Sequence, residues 1–194
     1  MGTTQPIANF TYEDYRATPD DERYELLDGD LIMVPAPNLA HQKVQRRLGQ
    51  RLSQFIEERA LGEFFFAPCD VVLADTDVVQ PDLLFVSRDR THLLSGGENV
   101  RGAPDLVVEI LSPATAERDR GYKRALYERH GVAEYWLVDP VEETVSIHRQ
   151  RAGALTLVHT FGRGETLHSP LLAGLKVALD DVFSSGERAA TKSP

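Results

Sequence analysis

The stretch PDLVVEILS, residues 104–112, holds the apolar run LVVEIL (106–111), interrupted by one acid, Glu109. A run of this kind predicts a strand covered on both faces, because a half-exposed strand would alternate apolar and polar residues. Downstream, Tyr122, Ala125, Leu126 and Arg129 fall at helical spacing within residues 115–130, and Gly131 supplies a stop. EYWLVD, residues 134–139, then predicts another buried strand. Strand, helix and strand in this order form a right-handed crossover between parallel strands.

Upstream, QPDLLFVS (80–87) and EFFFAPCDVVLA (63–74) predict two further strands. Before them, Val44, Leu48, Leu52, Phe55 and Ile56 form an apolar stripe that predicts a helix from about Leu39 to Ala60, ending at Gly62. YELLDGDLIMVPAP (24–37) predicts a β-hairpin from about Tyr24 to Val34, since Asp28-Gly29 accepts the positive φ angles of a tight turn. A short helix fits residues 11–16, with Pro19 beyond it. Past Pro140, the runs TVSIHRQ and ALTLVHTF and a strand near 175–179 alternate like an antiparallel meander. The expected fold is α/β with a mixed sheet, one domain over residues 1–183 and a disordered tail over 184–194.

Composition narrows the function classes. At 194 residues, 42% hydrophobic and 26% charged, the chain lies in the ordinary globular range. No apolar run approaches the ~18 residues of a membrane span, and no signal segment is read, so the expected location is cytoplasmic. The lone Cys69 has no disulfide partner and reads as a small buried hydrophobe. The net charge of −9 repels nucleic acid on average, although Lys43, Arg46, Arg47 and Arg51, and Arg118 to Arg129, form two local basic clusters. Neither a glycine-rich phosphate loop nor a Gly-x-Ser-x-Gly elbow is present, which sets aside nucleotide kinases, dinucleotide oxidoreductases and serine hydrolases.

Glu109 carries the most information, because burying an unpaired carboxylate costs several kcal/mol and raises its pKa. It requires a cation, a proton, a metal or an opening to solvent. Asp82 follows Pro81 at a strand start and can approach Glu109 across neighbouring strands, whereas Asp105 lies ~13 Å from Glu109 along its own strand. Two carboxylates make a hard oxygen site suited to Mg²⁺ or Mn²⁺. Leu111, on the same side as Glu109, leaves that face without a cation. Lys123 on the following helix can reach back over the strand end or form a surface pair with Asp119 at i,i+4. His41, in the first turn of the long helix, and Glu25, in the hairpin, are auxiliary candidates, with Asp70 a weaker one.

The order helix, three strands, helix, strand, with Asp82 and Glu109 on the second and third strands, resembles the PD-(D/E)XK nuclease superfamily. Four blocks narrow the resemblance: YELLDGDLIMVPAPNLAHQKV, VVQPDLLFV, APDLVVEILSPAT and RDRGYKRALYERHGVAEYWLVDP. They run from Tyr24 to Pro140 and together are similar to the Uma family of bacterial restriction endonucleases. The resemblance implies a restriction-endonuclease-like αβββαβ core over about 24–140, flanked by an N-terminal hairpin and C-terminal antiparallel strands. It implies an Mg²⁺- or Mn²⁺-dependent endonuclease acting on DNA, with Asp82 and Glu109 as metal ligands, and a homodimer is expected because one small site cuts both strands most simply as a two-fold pair. Glu25 and His41 match motif blocks near the site. Leu111 stands where the superfamily's Glu-x-Lys motif has its lysine, and Lys123 matches the place to which that lysine migrates in related groups. The alternative is a catalytically silent nuclease fold that binds nucleic acid or a protein partner.

Overall fold

The computed structural model describes residues 9–19 and 22–184. The expected tail therefore lies, from residue 185 onward, outside the described residues. In chain order the elements are α1 (Tyr12–Arg16), β1 (Tyr24–Leu27), β2 (Asp30–Met33), α2 (Leu39–Glu58), β3 (Gly62–Phe66), β4 (Val71–Ala74), β5 (Asp77–Val79), β6 (Leu83–Ser87), β7 (Val100–Arg101) and β8 (Leu106–Ile110). A helical run comes next, made of α3 (Ala116–Arg118), a π-helical segment (Asp119–Lys123) and α4 (Arg124–His130). After it come β9 (Glu134–Asp139), β10 (Thr144–Arg151), β11 (Ala154–Gly162), β12 (Thr166–Leu167), β13 (Val177–Ala178) and α5 (Leu179–Phe183).

The main sheet has the order β11-β10-β9-β8-β6-β3 and is mixed: β8 and β9 run parallel, as the crossover requires, while the other neighbours are antiparallel. Within it, α2-β3-β6-β8-helix-β9 is the expected αβββαβ order. One expectation fails. Residues 63–74 form two strands rather than one, because Pro68 cannot donate to a ladder, and the chain leaves the main sheet after Phe66. The second half, β4, joins a five-stranded sheet of order β2-β1-β5-β4-β7, which also takes in the hairpin and a short strand, β5, not expected from the sequence. The separate pair β12 and β13 accounts for the strand expected near 175–179.

Local chemistry explains the elements that position the site. The hairpin turns at Asp28 and Gly29, with φ of 49° and 83°, as that dipeptide favours. Asn38 caps α2 by accepting a hydrogen bond from the His41 backbone N–H. Gly131, at φ 79°, ends α4 in the left-handed conformation.

Alternation along the strands divides the core. Leu83, Phe85, Val108 and Ile110 face α2 and the C-terminal segment, while Leu84, Val86, Val107 and Leu111 face α4 and the second sheet. Glu109 shares parity with Val107 and Leu111 and therefore points toward the helical run. Cys69 is half-buried against this second cluster.

Candidate functional site

The β6–β8 register pairs Leu83 with Val108 and Leu84 with Val107, so Asp82, one residue before β6, lies at the end of the pair where β8 carries Glu109. The end of the ladder is closed by Asp82 itself, whose Oδ2 accepts from the Ile110 backbone N–H at 2.7 Å. His41 Nε2 lies 3.0 Å from the same oxygen, and its Nδ1 is buried without a hydrogen-bond partner among the described residues. His41 is thus a buried neighbour of Asp82.

Lys123 is 3% exposed, so it is no surface lysine. Its Nζ lies 2.8 Å from Glu109 Oε1 and 2.7 Å from Glu25 Oε1, with Asp119 Oδ1 at 3.9 Å. The surface pair with Asp119 is thus not what forms: the two groups do approach, but inside the cluster. The π-helical segment spans Asp119 to Lys123, and its wider turn sets residues four apart more nearly on one face than an α-helical turn does. Tyr135 Oη donates to the Asp119 carbonyl at 2.9 Å and pins that turn to β9.

Glu25 comes in from the second sheet. It is 1% exposed, and its Oε1 also accepts from the Gln80 N–H. Its Oε2 is buried without a hydrogen bond from the described residues, 3.7 Å from the Arg118 guanidinium. Tyr127 Oη donates to Glu109 Oε1 at 2.7 Å. Sequence reasoning missed Tyr127 and Arg118 and treated Asp119 only as a surface partner. The four-residue spacing of Asp119, Lys123 and Tyr127 was the available signal, but an aromatic at helical spacing ordinarily marks a core position.

Asp70 and Asp105 stay outside the cluster. Asp70 accepts from Tyr15 Oη and Gln80 Nε2, and Asp105 pairs with Arg90. Leu111 is buried in the apolar cluster. Most of the basic residues on the second helical run are spent internally: Arg120 on Asp139, Arg124 on the Leu155 carbonyl, and Arg129 on Asp28 and Asp77.

Glu25, Asp82, Glu109 and Asp119 line one pocket with Lys123, Arg118 and His41. Acids outnumber the cations paired to them. Burial raises the Glu109 carboxyl above its ordinary range against the pull of the Lys123 ammonium, and Asp119, Asp82 and Glu25 add to the rise. For Lys123, burial works to lower the ammonium, and the charges of Glu109, Glu25 and Asp119 outweigh it, so the lysine is held protonated. A pocket with this surplus of carboxylates is relieved by a proton or by a cation.

The donor set fits a hard divalent ion. Asp82 and Glu109 each have one oxygen engaged by protein donors, while Asp82 Oδ1 and Glu109 Oε2 accept no hydrogen bond from the described residues. Among the described residues no group of three or more His, Cys, Asp or Glu side chains is placed to hold a metal ion. Mg²⁺ does not need one, since it is commonly held by one or two carboxylates and completed by water and substrate oxygens.

Comparison with known proteins adds to this geometry. The family model Uma2, described as "Putative restriction endonuclease", matches residues 11–180. No curated protein matches the chain. Among solved structures, the chain is similar to "a putative nuclease belonging to DUF820 from Anabaena variabilis ATCC 29413", with 21% identity and a TM-score of 0.73 over 90% of this chain and 98% of that one. At this identity the likeness establishes the mixed α/β fold.

Proposed function

The chain belongs to the Uma2 family, and from that premise we propose that it is an endonuclease hydrolysing phosphodiester bonds of DNA, dependent on Mg²⁺ or Mn²⁺ held by Asp82 and Glu109. The observation that carries this reading is the buried surplus of carboxylates around one protonated lysine at the mouth of the β6–β8 pair. When bound, the ion supplies charge for the scissile phosphate and lowers the pKa of water.

The chain's own residues do the rest. Lys123, fixed by Glu109, Glu25 and the pitch of its helix, presents an ammonium that orients the attacking water or stabilises charge building on phosphorus. It takes the part that Leu111 cannot. Tyr127 holds Glu109 in one rotamer. His41 holds Asp82 from the α2 side, while Glu25, tied to the Gln80 N–H, keeps Lys123 from collapsing wholly onto Glu109. We further propose a homodimer, since one small site per chain cuts both strands of a duplex most simply as a two-fold pair.

The test is Mn²⁺ calorimetry beside nicking of plasmid DNA. Wild type binds Mn²⁺ and nicks, while Glu109→Ala and Asp82→Asn do neither. Equal Mn²⁺ affinity in wild type and Glu109→Ala means that Glu109 is not a ligand. A wild type that cuts no substrate with any divalent ion leaves the silent binding fold as the reading.

A further inference from the structure

A second cleft opens from the first, sharing Asp82 and Arg23 with it, and its wall is unlike the rest of this acidic chain. Its polar lining is Arg23, Gln42, Gln45, Arg46 and Asp82, and Phe66 contributes an exposed ring. Among the described residues Asp82 is its sole acid, and α2 carries no acid before Glu57.

Phe66 is 40% exposed and yet held in place. A Cβ at Gly49 of α2 would lie 2.3 Å from its Cε1 and 2.8 Å from its Cζ, so the ring rests on the helix backbone where any larger residue would push it away. Phe64 braces it edge-on, with ring centroids 5.3 Å apart. A glycine inside a helix costs about 1 kcal/mol relative to alanine. Here that cost accompanies an aromatic ring that is fixed on one side and open to solvent on the other.

The polar groups are similarly prepared. Arg23 donates from Nε and Nη2 to Gln80 Oε1, at 3.0 and 2.9 Å, which fixes its guanidinium at the junction of the two clefts. Gln45 donates to the Asp82 carbonyl and so ties this wall to the candidate metal ligand. Among the described residues Arg46 hydrogen-bonds only to Gln50, at 3.3 Å, and keeps its charge available.

We propose that this cleft binds a single strand of unpaired nucleotides leading into the Asp82–Glu109 site, with a base stacked on Phe66 and phosphates met by Arg46 and Arg23. A π-face fixed beside cations is the pattern that binds unpaired bases without reading sequence, whereas paired bases keep their faces stacked on each other. The proposal rests on the nuclease reading above and names its substrate: DNA with an unpaired segment next to the cut.

The test is fluorescence anisotropy in EDTA with a labelled 20-nucleotide oligo(dT), the same strand annealed to oligo(dA), and oligo(U) as an RNA arm. Wild type binds oligo(dT) at least tenfold more tightly than the duplex. Phe66→Leu, which keeps an apolar group on Gly49, weakens the single-strand complex by about tenfold, in the range of one lost base stack. Arg46→Ala, on the exposed helix face, weakens it and lowers the salt slope by about 0.7, the value of one phosphate contact on a single strand. RNA bound as tightly as DNA widens the ligand to both sugars and supports the cleft. Equal affinity for strand and duplex, or unchanged binding in either variant, overturns it. The two readings fail separately: nicking by wild type with normal strand binding by Phe66→Leu removes this one alone, and strand binding without cleavage removes the nuclease alone.

Discussion

Glu109 on β8 and Glu134 at the start of β9 lie on neighbouring parallel strands, 4% and 0% exposed. Glu134 accepts from Trp136 Nε1 at 2.8 Å, Ser169 Oγ at 2.6 Å and the Leu171 N–H at 3.0 Å, all neutral donors, the last two tying the segment after β12 to the sheet. Glu109 instead meets an ammonium and a phenol, faces other acids, and opens on a cleft. Burial alone therefore does not mark a functional carboxylate. A structural one has its lone pairs filled by neutral groups of its own fold, whereas the one at the candidate site sits among too many of its own charge.

Mutating both residues tests that contrast most severely. Glu109→Ala is expected to lower single-turnover nicking by about 10³-fold while the chain still folds, in the range for losing a direct charge contact in a site. Glu134→Ala should do the reverse, losing about 3 kcal/mol in urea unfolding because three buried donors are orphaned, with nicking per folded molecule unchanged within twofold. If Glu134→Ala abolishes cleavage at full stability, the distinction collapses. A somewhat smaller effect, about 10²-fold in turnover, is expected for Lys123→Met, and full activity in that variant would remove the lysine from the chemistry.

The smallest effect concerns pH. The Glu109 pKa is raised in the folded chain, so the folded state binds that proton more tightly than the unfolded one, and stability is lost as pH rises from the ordinary carboxyl range through the raised value. Glu109→Gln removes that loss. In EDTA its thermal midpoint should exceed that of wild type at pH 8, by about 2–4 °C for each kcal/mol relieved in a chain of this size, and the gap should close by pH 5. A gap that widens toward pH 5 contradicts the sign.

The sequence exposed those parts that depend on local chemistry. Asp28-Gly29 announces its turn, the α2 stripe announces a helix, and Glu109 stands out because an apolar run makes an acid conspicuous. Glu134 escaped notice because a strand's first residue is ordinarily half-solvated, and only the return of residues 169–171 buries it. The departure at Pro68 into a second sheet was equally hidden, since alternation specifies a strand but not which sheet it joins. The cluster around Lys123 combines groups from β1, β8 and the helical run, and no spacing along the chain encodes their meeting.

The π-helical segment makes the position of Lys123 a matter of counting. A one-residue loss between Asp119 and Lys123 that left the wide turn in place would rotate everything after it by about a hundred degrees, swinging Lys123 and Tyr127 off Glu109 together. A one-residue change in the turn at 140–143 would shift only a surface connection. Relatives of this chain should therefore vary in length at that turn and keep the span from Glu109 to Lys123 constant, and a homologue that breaks the count should also have lost the lysine.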